Sequence, residues 1–147
     1  MSDKSTKVII DGEMLRQLQE LDDDDTHEFS RDLVHGYFKQ AETTFSDMDA
    51  AFVARDLEQL SHHGHFLKGS SATLGIIQVQ GICEKIQHLG QRTDPDKKTE
   101  IKETKLSPEE ALVRIKPLLA RVKVECAEAK KWLMNYYGAP DAGSFKV

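Results

Sequence analysis

Residues 107–133 read SPEEALVRIKPLLARVKVECAEAKKWL, and this stretch decides the fold. Ser107 stands where a helix N-cap belongs, Pro108 at the first helical position and Glu110 at N3. Leu112, Ile115, Leu119, Val122, Cys126, Ala129 and Leu133 then recur three and four apart, the spacing of a seam that packs on other helices. Pro117 falls in the first third, where it should remove one backbone bond and kink the helix.

Four further helical segments precede this one. The first, Gly12 to Leu21, has Asp11 as its N-cap and Met14, Leu15, Leu18 and Leu21 at helical spacing. The second follows Asp22-Asp23-Asp24-Asp25-Thr26, with Asp25 and Glu28 forming a capping-box-like start. It runs to about Arg55 through an apolar face of Val34, Phe38, Ala41, Phe45, Met48 and Phe52, with Tyr37 at its margin. The third begins near Asp56 and ends at Gly75, and the fourth covers Ile77 to Leu89 before Gly90. Gln91 to Leu106, mixed in charge and containing Pro95, reads as a loop.

No segment alternates with a period of two, so no sheet is expected. The pattern predicts an all-α protein, an antiparallel four-helix bundle over residues 11–137 with a short N-terminal capping helix. Residues 1–10 and 138–147 carry no pattern and are expected to be flexible tails.

Composition narrows the function. A chain of 147 residues suits one domain, and 39% hydrophobic with 31% charged residues reads as globular. A net charge of -5 argues against nucleic acid, whose phosphates are bound by clustered Lys and Arg. No apolar run approaches the roughly 20 residues that a bilayer requires, so no membrane association is expected. Cys83 and Cys126 lack metal spacing and read as reduced core residues. With nothing resembling a signal peptide, a cytoplasmic and nuclear location is expected.

The third segment carries the residues of chemical interest. Gly64-His65-Phe66-Leu67-Lys68-Gly69-Ser70-Ser71 puts a lysine three residues, and a glycine four residues, after a histidine. At about 100° per residue, Leu60, His63, Leu67, Ser70, Ser71 and Leu74 fall on one side. His65, Lys68, Gly69 and Ala72 fall on the other, with Phe66 at the boundary. The leucines define the core, so His65 should face outward beside Lys68. Such a face offers an imidazole nucleophile, a cation one turn away and a bare spot, which is what a phosphoryl-carrying histidine needs. An exposed histidine near a lysine also occurs on ordinary helices. Glycine inside a helix costs about 1 kcal/mol relative to alanine. Gly64 and Gly69 therefore ask for a reason, and close approach by a partner backbone would be one. On the second helix, Phe29, Leu33, Gly36 and Gln40 form a separate stripe. It either packs under the first helix or forms a docking patch beside His65, bordered by Met14 and Leu18.

These residues resemble a known family. His65-Phe66-Leu67-Lys68-Gly69-Ser70-Ser71, continued by Ala72-Thr73-Leu74-Gly75, is similar to the signature of histidine-containing phosphotransfer (HPt) domains. The likeness is closest to the fungal single-domain type of the osmosensing phosphorelay. Leu21-Asp22-Asp23-Asp24-Asp25, Gln40-Ala41-Glu42-Thr43-Thr44-Phe45 and Cys83-Glu84-Lys85-Ile86-Gln87 extend it over Asp11 to Tyr137. The short connection from Gln91 to Leu106 departs from the yeast pattern.

The resemblance implies that His65 takes a phosphoryl group from the aspartate of a hybrid histidine kinase receiver domain. It would pass that group to a response-regulator aspartate. Lys68 would sit by the phosphate, Gly69 would leave room for the partner, and Gln87 would hydrogen-bond or orient the imidazole. Without the resemblance, Gln87 reads as a polar residue on a bundle rim. Met14, Leu18, Phe29, Leu33, Gly36, Gln40, Phe66 and Ala72 would form the docking surface of a monomer. The chain has no Gly-rich phosphate loop, so neither ATP chemistry nor a cofactor is expected, and Mg²⁺ should sit on the receiver. Two other readings stand beside this one: metal binding by His62, His63 and His65, and a plain helical interaction module.

Overall fold

The computed structural model describes residues 8–22, 27–93 and 105–137. Five helices follow in order: α1 (Gly12–Gln19), α2 (Glu28–Val53), α3 (Leu57–Leu74), α4 (Ile77–Gly90) and α5 (Pro108–Tyr136). No strand occurs among the described residues. Of the tails expected at residues 1–10 and 138–147, residues 1–7 and 138–147 lie outside the described residues, as does Asp25. Residues 8–10 are corrected from a free tail, because Ile10 is buried in the core and the Gln78 side chain donates to the Val8 carbonyl (2.9 Å).

Neighbouring helices run antiparallel. Arg31 at the start of α2 donates to the Tyr137 carbonyl at the end of α5 (2.7 Å). Arg55, just past α2, pairs with Glu109 near the start of α5 (3.1 Å). α3 packs most extensively on α4, α2 lies against α3 and α5, and α5 closes the bundle against α4. α3 and α5 therefore stand diagonally opposed. α1 caps the bundle over α3 and α2.

Caps explain most helix ends. Asp11, Asp56 and Ser107 accept hydrogen bonds from the amides of Glu13, Gln59 and Glu110 at 3.0–3.1 Å, each satisfying an orphan donor. Gly75 ends α3 in the left-handed region at φ +74, where a Cβ would also stand 2.7 Å from the Asp11 carbonyl. That carbonyl's own amide donates to the Gly75 carbonyl (2.7 Å), tying α1 to the α3–α4 corner.

The described start of α2 is held by a residue eight positions before Ser30. The helix opens at Glu28 behind His27, whose φ of 57 is left-handed and whose side chain caps nothing. Asp22 supplies the cap from across the loop. Its carboxylate accepts from the Ser30 amide (2.8 Å) and Ser30 hydroxyl (2.9 Å), and bonds the His27 ring (2.8 Å). The Tyr137 hydroxyl donates to Ser30 (2.8 Å) and joins the end of α5 to the same cluster.

The core is aliphatic. Leu60, Leu67, Ile86, Ile115 and Leu133 are fully buried, each contributing roughly 2 kcal/mol through apolar burial. On α2 the buried face is rotated from the expected one. Tyr37, Thr44 and Ser30 are buried, whereas Phe45 and Phe52 are only partly so. α2 touches both α3 and α5, so its buried arc is wider than one stripe. Pro117 sits inside an uninterrupted α5, on its exposed side. The carbonyl it leaves free belongs to Val113, itself 71% exposed, so water can satisfy it.

Two glycines make the α3–α4 contact. A Cβ on Gly64 would stand 2.9 Å from the Cys83 carbonyl and 3.1 Å from the Gln87 amide nitrogen. A Cβ on Gly90 would stand 2.7 Å from the Leu57 carbonyl. Gly64 is thus buried against α4, and the expectation that it faces a docking partner is corrected.

Candidate functional site

His65 is exposed on the outer side of α3, with Lys68 half-exposed one turn on. Among the described residues, none hydrogen-bonds to or pairs with either the imidazole or the ammonium. Their chemistry is uncommitted. Gly69 follows on the same face, and a Cβ there would meet no described atom of another element within 4 Å. The Thr73 hydroxyl donates to the Gly69 carbonyl (3.2 Å) and the Ser70 hydroxyl to the Phe66 carbonyl (3.3 Å), holding the turns around this bare position.

α2 borders this face. Phe29 and Leu33 are 47% and 40% exposed, and Phe66 is 41% exposed. They are therefore surface residues and not packing under α1. Gly36 and Gln40 are exposed beside them. Leu33, Gly36 and Gln40 line a groove of about 450 Å³ between α2 and α3, together with Asp32, Tyr37, Ser70, Thr73 and Leu74. The Tyr37 hydroxyl and Ser71 Oγ share a buried hydrogen bond (2.7 Å) at the base of this contact. Burial pushes the tyrosine's pKa well above its ordinary value, so the bond is between neutral groups.

Three expected docking residues are placed differently. Leu18 is only 5% exposed and belongs to the core beneath α1, because its side chain seals the helix onto the bundle. Met14 and Ala72 are half-buried and lie at the margin. Ser70, expected on the inner side, is half-exposed and lines the groove. Asp32 and Thr73 also line it and were not anticipated. Their signal was spacing: Asp32 precedes Gly36 by four and Thr73 follows Gly69 by four, so each shares its glycine's face.

Gln87 on α4 is half-buried, and its side-chain oxygen is fully buried without a hydrogen-bond partner. It makes no bond to His65 in this structure. No group of three or more His, Cys, Asp or Glu side chains suited to a metal occurs among the described residues, so His62, His63 and His65 do not form one. No described helix is long and apolar enough to cross a membrane.

The site is thus an exposed histidine beside a cation and a bare glycine on a helical bundle. The family model for the Hpt domain covers residues 32–124. This chain belongs to the Hpt domain family. The Hpt chain is 43% identical over 131 residues to multistep phosphorelay regulator 1 of Schizosaccharomyces pombe, covering 89% of this chain and 43% of that protein. It is 40% identical over 87 residues to phosphorelay intermediate protein YPD1 of Saccharomyces cerevisiae, covering 58% of this chain and 52% of that one. The Hpt chain thus matches about half the length of these curated relatives.

Solved structures agree with the Hpt assignment. The Saccharomyces cerevisiae histidine phosphotransfer signaling protein Ypd1, crystallised with the receiver domain of its downstream response regulator Ssk1, superposes with a TM-score of 0.75. That match has 32% identity and covers 88% of this chain and 95% of the solved one.

Proposed function

We propose that this chain is a phosphorelay intermediate. His65 accepts a phosphoryl group from the phosphoaspartate of a hybrid histidine kinase receiver domain and passes it to the aspartate of a response-regulator receiver. The observation that carries this reading is the uncommitted imidazole of His65 beside Lys68, next to a position where a side chain would meet only open space. The likeness to Ypd1, solved with a receiver domain, supports a receiver as the partner.

The chemistry asked of the chain is small. A neutral imidazole nitrogen attacks phosphorus in line, the N–P bond forms, the aspartyl O–P bond breaks, and the carboxylate leaves. Such a transfer depends on positioning and charge neutralisation more than on covalent machinery. Lys68 supplies a positive charge at the incoming phosphoryl group. Gly69 lets the receiver's active site come close, and Gln87 orients the imidazole. Phe29, Leu33, Phe66, Gly36 and Gln40 form the docking surface. The acidic Mg²⁺ site belongs to the receiver, and the carrier neither binds ATP nor labels itself. Residues 11–137 suffice for the activity, and the chain works as a monomer in cytoplasm and nucleus.

The test mixes this chain with a receiver domain carrying labelled phosphoaspartate. The label should move to this chain and be acid-labile and alkali-stable, as a P–N bond is. His65→Gln should abolish it. Label taken from ATP with no receiver present would overturn the carrier reading.

A further inference from the structure

We propose that Gly64 is a positioning residue for the transfer, because its missing side chain lets the α4 backbone at Cys83 and Gln87 close on the turn of α3 that carries His65, and so places the Gln87 side chain. This rests on the phosphorelay reading above and deepens it. Gly64 immediately precedes His65, yet the two face opposite ways: His65 is exposed and Gly64 is buried against α4. At Gly64 the α4 backbone comes within what would be 2.9 Å (Cys83 carbonyl), 3.1 Å (Gln87 amide nitrogen) and 3.4 Å (Gln87 Cα) of a Cβ. All three are backbone atoms, which cannot swing aside as a flexible side chain would. A methyl group there must push α4 outward at Cys83 and Gln87.

Gln87 has unused capacity at that point. Its side-chain oxygen is fully buried and accepts no hydrogen bond, an arrangement that is costly unless a donor reaches it. Nothing in the core demands a glutamine here, since its neighbours along α4, Cys83, Ile86 and Leu89, are buried and non-polar. An unspent acceptor beside the turn of an unpaired imidazole fits a role in holding that ring. Gly64 fixes the separation between them. Gly90, seven residues on from Cys83, makes the other close contact of the same seam at Leu57 and Ser61. The seam thus closes at two bare positions, and only the one at Gly64 adjoins the histidine.

The test compares Gly64→Ala, Gln87→Asn and the double variant in transfer from a phosphorylated receiver, with Ile115→Val as a control. Ile115 is fully buried on α5. Its variant loses stability without touching the seam, and it should transfer normally per folded molecule. Gly64→Ala should transfer about tenfold more slowly per folded molecule, since a small displacement of an orienting group is felt strongly in rate. Gln87→Asn leaves the Gly64 contact unchanged and should lose a similar factor. The double variant should be no slower than the worse single one, because both act through where the Gln87 carboxamide stands. The His65 ring resonances in NMR should shift in Gly64→Ala and stay put in Ile115→Val. Wild-type rates in Gly64→Ala, or fully multiplicative losses in the double variant, would overturn the inference. Should Gly64→Ala fail to fold, wild-type transfer by Gln87→Asn would overturn it. If the wild-type chain takes no label at all, the phosphorelay reading itself falls instead.

Discussion

At the residue scale, two side chains, His65 and Lys68, and one bare position, Gly69, share the outer face of α3. Among the described residues His65 and Lys68 have no hydrogen-bond or ion-pair partner, so replacing Lys68 removes charge and little packing. Lys68→Ala should fold as the parent does and slow phosphoryl transfer about tenfold, the equivalent of roughly 1.4 kcal/mol. Stopped-flow transfer kinetics beside a thermal melt check this, and unchanged kinetics would remove Lys68 from the mechanism. Gly69 makes the opposite trade. A Cβ there would clash with nothing described, so Gly69→Gln should stabilise α3 by about 0.5–1 kcal/mol while obstructing the receiver. A higher Tm with transfer lost is the expected pair of results, and normal transfer would show that the partner keeps its distance. Gly64 looks the same in the sequence but differs in kind, because what approaches it is α4 of the same molecule.

At the element scale, the helix ends show what local sequence specifies. Asp11, Asp56 and Ser107 cap amides two or three residues away, and such contacts are written in adjacent residues. The start of α2 is not written this way. Asp22 reaches Ser30, eight residues on, and Tyr137 arrives at the same hydroxyl from α5. Burial alone would raise the Asp22 carboxyl, but bonds from the Ser30 amide, the His27 ring and the Ser30 hydroxyl outweigh it. They hold its pKa below the ordinary 3.8. A carboxyl depressed by folding contributes stability above its unfolded pKa and loses it as pH falls through the lower folded value. Asp22→Asn should therefore lower Tm at pH 7, with the lost cap costing about 1 kcal/mol. It should also flatten the acid side of the stability profile below about pH 4. Circular-dichroism melts across pH 2.5–7, a range of roughly the carboxylate window, would show this. Parallel acid limbs in parent and variant would remove Asp22 from the pH dependence. Facing on α2 was likewise only half legible. Its period marked an apolar side, but contact with both α3 and α5 buried Tyr37 and Thr44 and left Phe45 and Phe52 at the rim.

At the scale of the whole molecule, the bundle makes its two thiols inert. Cys83 and Cys126 are free and buried, and burial, foremost among the causes, pushes each up to about 12. Neither should react with a disulfide reagent at about pH 8 until the chain unfolds, because the thiolate is the reactive form. Labelling should therefore follow urea unfolding, and rapid labelling of the folded chain would contradict this packing. The amino-acid sequence by itself determined the helical periods, three of the caps, the outward direction of His65 and the pairing of that histidine with Lys68 and Gly69. These follow from spacing along one helix, where 3.6 residues per turn fixes what shares a face. Tertiary structure alone decided which glycine meets solvent and which meets α4, that Leu18 lies in the core, and that Phe29 and Leu33 lie outside it. It also placed Ser70, Thr73 and Asp32 around one groove and left the Gln87 oxygen buried without a partner. Those outcomes depend on the distance between helices far apart in the chain, and that distance is set by how side chains from several elements fill the space together.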